Sequence, residues 1–160
     1  MSGSNFGDYQ IGIYMQGVVG MKPELPLDIN ELEAQAREKL DSRAYWYVAG
    51  GGGAGDTIDA NRAAFNRWRI VPRMLRDVKE RDHRVSVLGL DMKAPLMLAP
   101  IGVQEILHPE AELAVARAAA ALEVPLMLST LASNPLEAVA EASGANQRWF
   151  QLYWPGDDEV

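Results

Sequence analysis

The period of the apolar positions changes along this chain. Between residues 28 and 67 they recur at helical spacing, and beyond residue 96 they gather into short solid runs separated by amphipathic stretches. Ile29, Leu32, Ala36 and Leu40 form one helical stripe, opened by the capping pair Asp28 and Glu31, and the stripe is expected to pack on a core. Ser42 starts a second short helix that carries Tyr45, Trp46 and Tyr47 and is halted by Gly50 to Gly53. Asp56 or Thr57 caps a third through about Arg67, with Ala64, Phe65 and Trp68 on its buried side. Residues 1–27 are rich in Gly, Pro and Tyr with little periodicity, and read as an extension that wraps over something larger.

Val71 to Arg73 runs extended, and Val85 and Val87 then alternate with polar neighbours ahead of Gly89, which predicts a short hairpin continuing through Met92 to Pro95. Beyond it the order becomes strand, helix, strand, helix, strand. Leu96–Ala99 is the first apolar run. Glu110–Leu122 is an Ala-rich helix with Pro109 in its first turn, and Leu126–Leu128 is the second run. Asn134 and Pro135 open the next helix, Gly144 closes it, and Trp149–Leu152 is the third run. The strands start 30 and then 23 residues apart, which suits parallel strands joined by right-handed helical crossovers. The class is therefore α/β, and the spacing fits an open doubly wound sheet and a (β/α)8 barrel equally.

Composition narrows the chemistry. The chain has 160 residues, 48% of them hydrophobic and 23% charged, the profile of a globular domain with a sizeable core. A net charge of −7 argues against nucleic acid and anionic membrane surfaces, because both require clustered cations. The basic residues Arg73, Arg76, Lys79 and Arg81 are interleaved with Asp77, Glu80 and Asp82 and read as a solvated segment. No cysteine is present, which excludes disulfides, thiolate metal sites and a Cys nucleophile. Neither a signal peptide nor an apolar run long enough to span a membrane is indicated, so the expected compartment is the cytoplasm.

Ligands of α/β proteins of either architecture meet the C-terminal ends of the strands. Here those ends carry Pro100, Ile101 and Gly102, then Ser129 and Thr130, then Gln151, Leu152 and Tyr153. In a continuing strand Gln151 and Tyr153 share a face, although an amphipathic strand turned to water is the plainer reading of that pair alone. The glycines of 50–55 lack a preceding strand and a lysine, so hinge or close packing accounts for them better than a phosphate loop. His83 lies in a charged run, and His108, before Pro109, suits loop bonding or capping better than proton transfer.

Taken in order, Tyr45-Trp46-Tyr47-Val48-Ala49-Gly50, Ala99-Pro100-Ile101-Gly102, His108-Pro109-Glu110 and Gln151-Leu152-Tyr153 resemble the FMN-dependent α-hydroxy-acid oxidase and dehydrogenase family. The resemblance covers residues 28–160, and the head, Gly7, Asp8 and Tyr9 through Tyr14, Gln16, Gly17 and Gly20, is similar to the lactate 2-monooxygenase branch. It implies a (β/α)8 barrel with FMN at the C-terminal mouth. Residues 1–27 would be an extension, and 28–160 the N-terminal part of the FMN domain. Pro100, Ile101 and Gly102 would lie along the flavin ring, with Gly102 permitting close approach, while Thr130 and Gln151 would bond its polar edge. Tyr47 would hold the substrate carboxylate, and Tyr153 would contact the substrate hydroxyl.

The same resemblance places the family's histidine base, substrate arginine and flavin-side lysine on later strands, beyond these residues. Val48, Gly50, Ile101 and Gly102 also differ from the commoner residues, which bears on substrate fit. A barrel takes about 250 residues, so roughly three of eight β/α units are expected here, and the chain reads as part of a longer product. An unclosed sheet leaves edges and a core face bare, so the chain by itself is expected to be unstable or to need a partner. The implied parent is a homo-oligomer that oxidises a small L-2-hydroxy acid to the 2-keto acid or its decarboxylated product, with molecular oxygen reoxidising FMN. The alternative is a non-catalytic half-barrel or decayed enzyme that pairs with another chain. A third reading, another flavin or phosphate-binding barrel such as an isomerase, gives no account of Tyr47 with Tyr153.

Overall fold

The computed structural model describes residues 6–156. Two compact units divide between Gly55 and Asp56, so the boundary at 27/28 drawn from composition falls inside the first.

Among the described residues the first unit holds three helices: α1 (Phe6–Val18), α2 (Ile29–Lys39) and α3 (Ser42–Ala49). Helix α1 occupies a stretch that showed little periodicity, and the first five residues of the expected extension lie outside the described residues. Its apolar residues are spread around the axis rather than lined up, so no stripe announced it, and Tyr9, Ile11, Tyr14 and Met15 are all exposed. The helix stops in a Schellman arrangement: Gly20 N–H donates to the Gly17 carbonyl at 3.0 Å, and Met21 N–H donates to the Gln16 carbonyl at 3.0 Å. Helix α2 is capped by Asp28, whose carboxylate accepts the Asn30 N–H at 2.9 Å. Its stripe is covered only in part, since Ala36 and Leu40 are half-buried while Ile29 stands exposed. Helix α3 starts at Ser42 as expected, and Asp41 caps it by accepting the N–H groups of Arg43 and Ala44 at 2.8 and 3.1 Å.

The second unit begins with α4 (Asp56–Phe65). The period predicts a buried side at Phe65 and Trp68, which are instead 81% and 82% exposed. Residues 68–84 run irregularly and exposed, and Asp82 there accepts both the backbone and the guanidinium of Arg84. The hairpin forms as expected. Strands β1 (Val85–Val87) and β2 (Leu90–Met92) pair antiparallel through Val85↔Met92 and Val87↔Leu90. Leu88 and Gly89 both take positive φ, 50° and 79°, the two-residue turn whose twist matches the strands it joins.

The βα units follow as α5 (Ala111–Leu122), β3 (Leu126–Ser129), α6 (Leu136–Ser143) and β4 (Arg148–Gln151). Strands β3 and β4 are parallel, in register Leu126↔Arg148 through Ser129↔Gln151. The expected strand at Leu96–Ala99 is reduced to a single parallel bridge, Leu98↔Leu126, held by Leu98 N–H to the Pro125 carbonyl and Met127 N–H to the Leu98 carbonyl. Pro95 and Pro100 bracket it and cannot donate to a ladder, which limits the pairing. The three segments thus lie in chain order with β3 in the middle.

One face of this sheet is the core. Leu126 and Leu128 pack on Ala116 and Ala119 of α5 and on Val139 of α6, all of them buried. Alanine on the α5 face lets the helix approach closely. Leu113, Ala132 and Ala142 complete the contact. Register puts Met127, Trp149, Ser129 and Gln151 on the opposite face, away from the helices.

Candidate functional site at the ends of the parallel strands

Both loops that leave the C-terminal ends of the first two parallel segments lie side by side. The loop after Leu98 passes through Pro100, Ile101 and Gly102 to Val103, then enters a 3-10 turn at Gln104–Ile106. Val103 N–H bonds the Leu131 carbonyl at 2.9 Å, and Glu105 N–H bonds the Ser133 hydroxyl at 3.1 Å. Gly102 is pressed against the same neighbour: a Cβ there would stand 2.8 Å from Leu131 Cβ and 3.1 Å from its carbonyl oxygen. The absent side chain, expected on account of a ligand, is required already by this packing. Val103 adopts φ 54°, a left-handed conformation costly for a β-branched residue, so the loop is held by its surroundings.

Glu112 anchors the second loop. It is 3% exposed, one carboxylate oxygen accepts the Ser133 N–H at 2.9 Å, and the other accepts the Asn134 side-chain amide at 2.9 Å. Burial pushes the carboxyl up, but the hydrogen bonds from Ser133 and Asn134, with the backbone N–H groups of Glu112 and Asn134, outweigh it and hold the group below its ordinary value. Sequence reasoning passed over this residue. The signal was a charge at the head of an alanine stripe, Glu112, Ala116, Ala119, where the period calls for an apolar side chain.

Thr130 joins the second strand end to the third. Its hydroxyl donates to the Gln151 carbonyl and accepts the Tyr153 N–H at 3.0 Å. The hydroxyl proton is therefore committed within the chain, and only an acceptor lone pair remains for a ligand. Strand β4 stops at Gln151, so the alternation that would have put Tyr153 on Gln151's face ends before it, and the Thr130 bond fixes the Tyr153 backbone instead. The Gln151 side-chain amide has no hydrogen-bond partner among the described residues and offers one donor group and one acceptor. Tyr153 is 47% exposed.

Tyr47 belongs to α3 in the first unit and is 63% exposed. Its neighbour Tyr45 donates to Glu33 and, with Trp46, lies under the Arg37 guanidinium. His108 does what its loop position suggested: Nδ1 accepts the Glu110 N–H at 3.2 Å ahead of α5. A hollow of about 350 Å³ opens beside the strand ends on the core face, with Leu128, Leu136 and Phe150 among its walls.

Residues 36–160 match the family model described as FMN-dependent dehydrogenase. The chain belongs to that family. An FMN-dependent alpha-hydroxy acid dehydrogenase, qulF, of Penicillium citrinum is 44% identical over 157 residues, which is 98% of this chain and 39% of the relative. An L-lactate oxidase of Alicycliphilus denitrificans is 48% identical over 123 residues, 77% of this chain and 33% of its own. Among solved structures, a mandelate oxidase superposes with a TM-score of 0.77 at 38% identity, covering 83% of this chain and 38% of that one. A lactate oxidase of Pediococcus acidilactici gives 0.79 at 30% identity, covering 85% and 38%. The chain therefore has the α/β fold of these flavoenzymes and spans well under half the length of the relatives it matches. No described helix is long and apolar enough to cross a membrane.

The strand-end groups fit FMN by their chemistry. The edge of a flavin ring offers carbonyl acceptors and an N–H donor, which an unpartnered amide at Gln151 and a remaining lone pair on Thr130 complement. Ile101 is exposed and Pro100 half-buried, and the Ile101 carbonyl already accepts the Gln104 side-chain amide at 3.1 Å.

Proposed function

We propose that the chain is the N-terminal part of an FMN-dependent oxidoreductase with a (β/α)8 barrel. This enzyme oxidises a small, lactate-like L-2-hydroxy acid to the 2-keto acid, or to its decarboxylated product if the likeness to lactate 2-monooxygenase extends to chemistry. The observation that carries this reading is the clustering of Thr130, the free Gln151 amide and Tyr153 at the ends of adjacent parallel strands, in a chain whose family is FMN-dependent.

FMN, when bound, accepts the two electrons of the oxidation, and molecular oxygen takes them up afterwards. The residues of this chain hold and orient. Gln151 donates to and accepts from the polar edge of the ring, and Thr130 accepts from it while keeping Tyr153 in place. The Tyr153 hydroxyl contacts the substrate hydroxyl oxygen and steadies its charge, and Tyr47 holds the substrate carboxylate. The proton-accepting histidine, with its arginine and lysine, is assigned to later strands of the longer polypeptide.

A non-catalytic module remains the second reading for these 160 residues alone. It is favoured by His108, whose Nδ1 is engaged within its own loop, and by the bare aromatic face of Phe65 and Trp68. Sequencing past Val160 and expressing the continuous frame decides between them. The enzyme reading expects a lysine and then a histidine with a nearby arginine, a yellow protein, and bleaching by L-lactate without oxygen. A colourless, inert, folded product supports the module.

A further inference from the structure

We infer that Glu112 is a positioning residue for the flavin, acting through two loops without touching the ring. The inference rests on the reading above that Pro100, Ile101 and Gly102 lie along FMN. Glu112 is a buried carboxylate to which that reading gives no task, and it sits in the first turn of a helix whose other buried residues are alanines. Its two oxygens fix Ser133 and Asn134. Ser133 in turn accepts the Glu105 N–H, and Leu131, two residues earlier, accepts the Val103 N–H and backs Gly102. A continuous set of contacts thus runs from the carboxylate to the backbone beside the flavin.

The far end of that set is under strain. Val103 is β-branched and held at φ 54°, a conformation it leaves unless its neighbours hold it there. The bonds to Leu131 and Ser133 are the restraints on either side of it, and Glu112 holds the loop that supplies both. A glutamine keeps the shape but weakens both acceptors, because a neutral amide accepts less strongly than a carboxylate and one of its ends becomes a donor. The loop at 101–105 is then free to relax toward an unstrained backbone, which displaces Pro100 to Gly102 from the ring plane.

The test uses the full-length protein, both FMN-loaded and after flavin removal, with Glu112→Gln and the milder Ser133→Ala. The second variant deletes only the hydroxyl that accepts the Glu105 N–H and leaves the Ser133 N–H on Glu112. In the flavin-free protein both variants should speed amide exchange at Val103 and Glu105, with exchange at core positions of β3 unchanged. FMN binding, read by fluorescence under conditions where each variant is fully folded, should weaken on the order of tenfold, with a shifted visible flavin band. If the unfolding midpoint falls while FMN affinity, the band and exchange at 103 and 105 stay as in the wild type, Glu112 only braces the fold and the inference is overturned. A wild-type protein that binds no FMN overturns the functional reading instead, and the exchange measurement still decides whether Glu112 orders the 101–105 loop.

Discussion

Replacing Gly102 by alanine separates two reasons for one glycine. An ideal Cβ at this position lies 2.8 Å from Leu131 Cβ, 3.1 Å from the Leu131 carbonyl oxygen and 3.4 Å from its carbonyl carbon. Carbon atoms attract best at about 3.5–4.0 Å, so the loops must part by roughly 0.7 Å. None of these atoms is the tip of a flexible side chain. Parting them stretches the Val103 N–H bond to the Leu131 carbonyl, now 2.9 Å, in a residue already at positive φ. Overpacking of this kind costs about 1–3 kcal/mol, and the strained hydrogen bond is worth about 1 kcal/mol, so a loss near 2 kcal/mol is expected. Urea unfolding of the flavin-free protein measures it, as a lower midpoint at constant slope. Leu131→Gly removes the nearest of the three contacts, and the double variant should show a coupling energy of at least about 0.5 kcal/mol. A Gly102→Ala protein that keeps its flavin-free stability and loses only FMN affinity refutes this account, because the glycine would then serve the ligand alone.

Glu112 carries a pH signature as well. Its folded carboxyl lies below the unfolded value of about 4.3, so its contribution is complete above that pH and is lost as the pH falls through the folded value. Acid unfolding of the wild type should therefore be steeper below about pH 4.3 than that of Glu112→Gln, which is already less stable at pH 7; parallel curves would exclude the linkage. Glu112→Ala removes a charged acceptor from two donors at once and should cost about 3 kcal/mol by the same unfolding measurement. Thr130→Val deletes the bonds to Gln151 and Tyr153, and exchange at the Tyr153 amide should quicken while Thr130→Ser leaves it slow. Val139 of α6 is fully buried in the core with β3 and α5, and Val139→Ala should lower stability by about 2 kcal/mol, a figure that a thermal or urea melt checks directly.

The period of the apolar residues was enough to place the elements that carry the candidate site. Leu126–Ser129 and Arg148–Gln151 are strands where solid apolar runs predicted them, and Asn134-Pro135 and Gly144 bound α6 because a fixed proline φ and a glycine end act locally. The motifs at Pro100–Gly102, Thr130 and Gln151–Tyr153 were readable for the same reason: each sits at the end of a run that the alternation defines. What escaped the sequence depends on contacts between segments far apart in the chain. Phe65 and Trp68 look like buried residues by pattern, yet burial needs a facing element that a helical period cannot supply. The Leu96–Ala99 run shrank to one bridge because its two prolines restrict pairing with a neighbour.

The sequence by itself determined the βα rhythm, the family and the polar residues gathered at the strand ends, since these follow from local period, local turn chemistry and ordered motifs. Tertiary structure alone decided why Gly102 has no side chain, where the Thr130 proton points and which groups Glu112 holds. Each of those is a distance between residues some 20 to 30 positions apart, 102 to 131, 130 to 151 and 112 to 133, and no local preference encodes it.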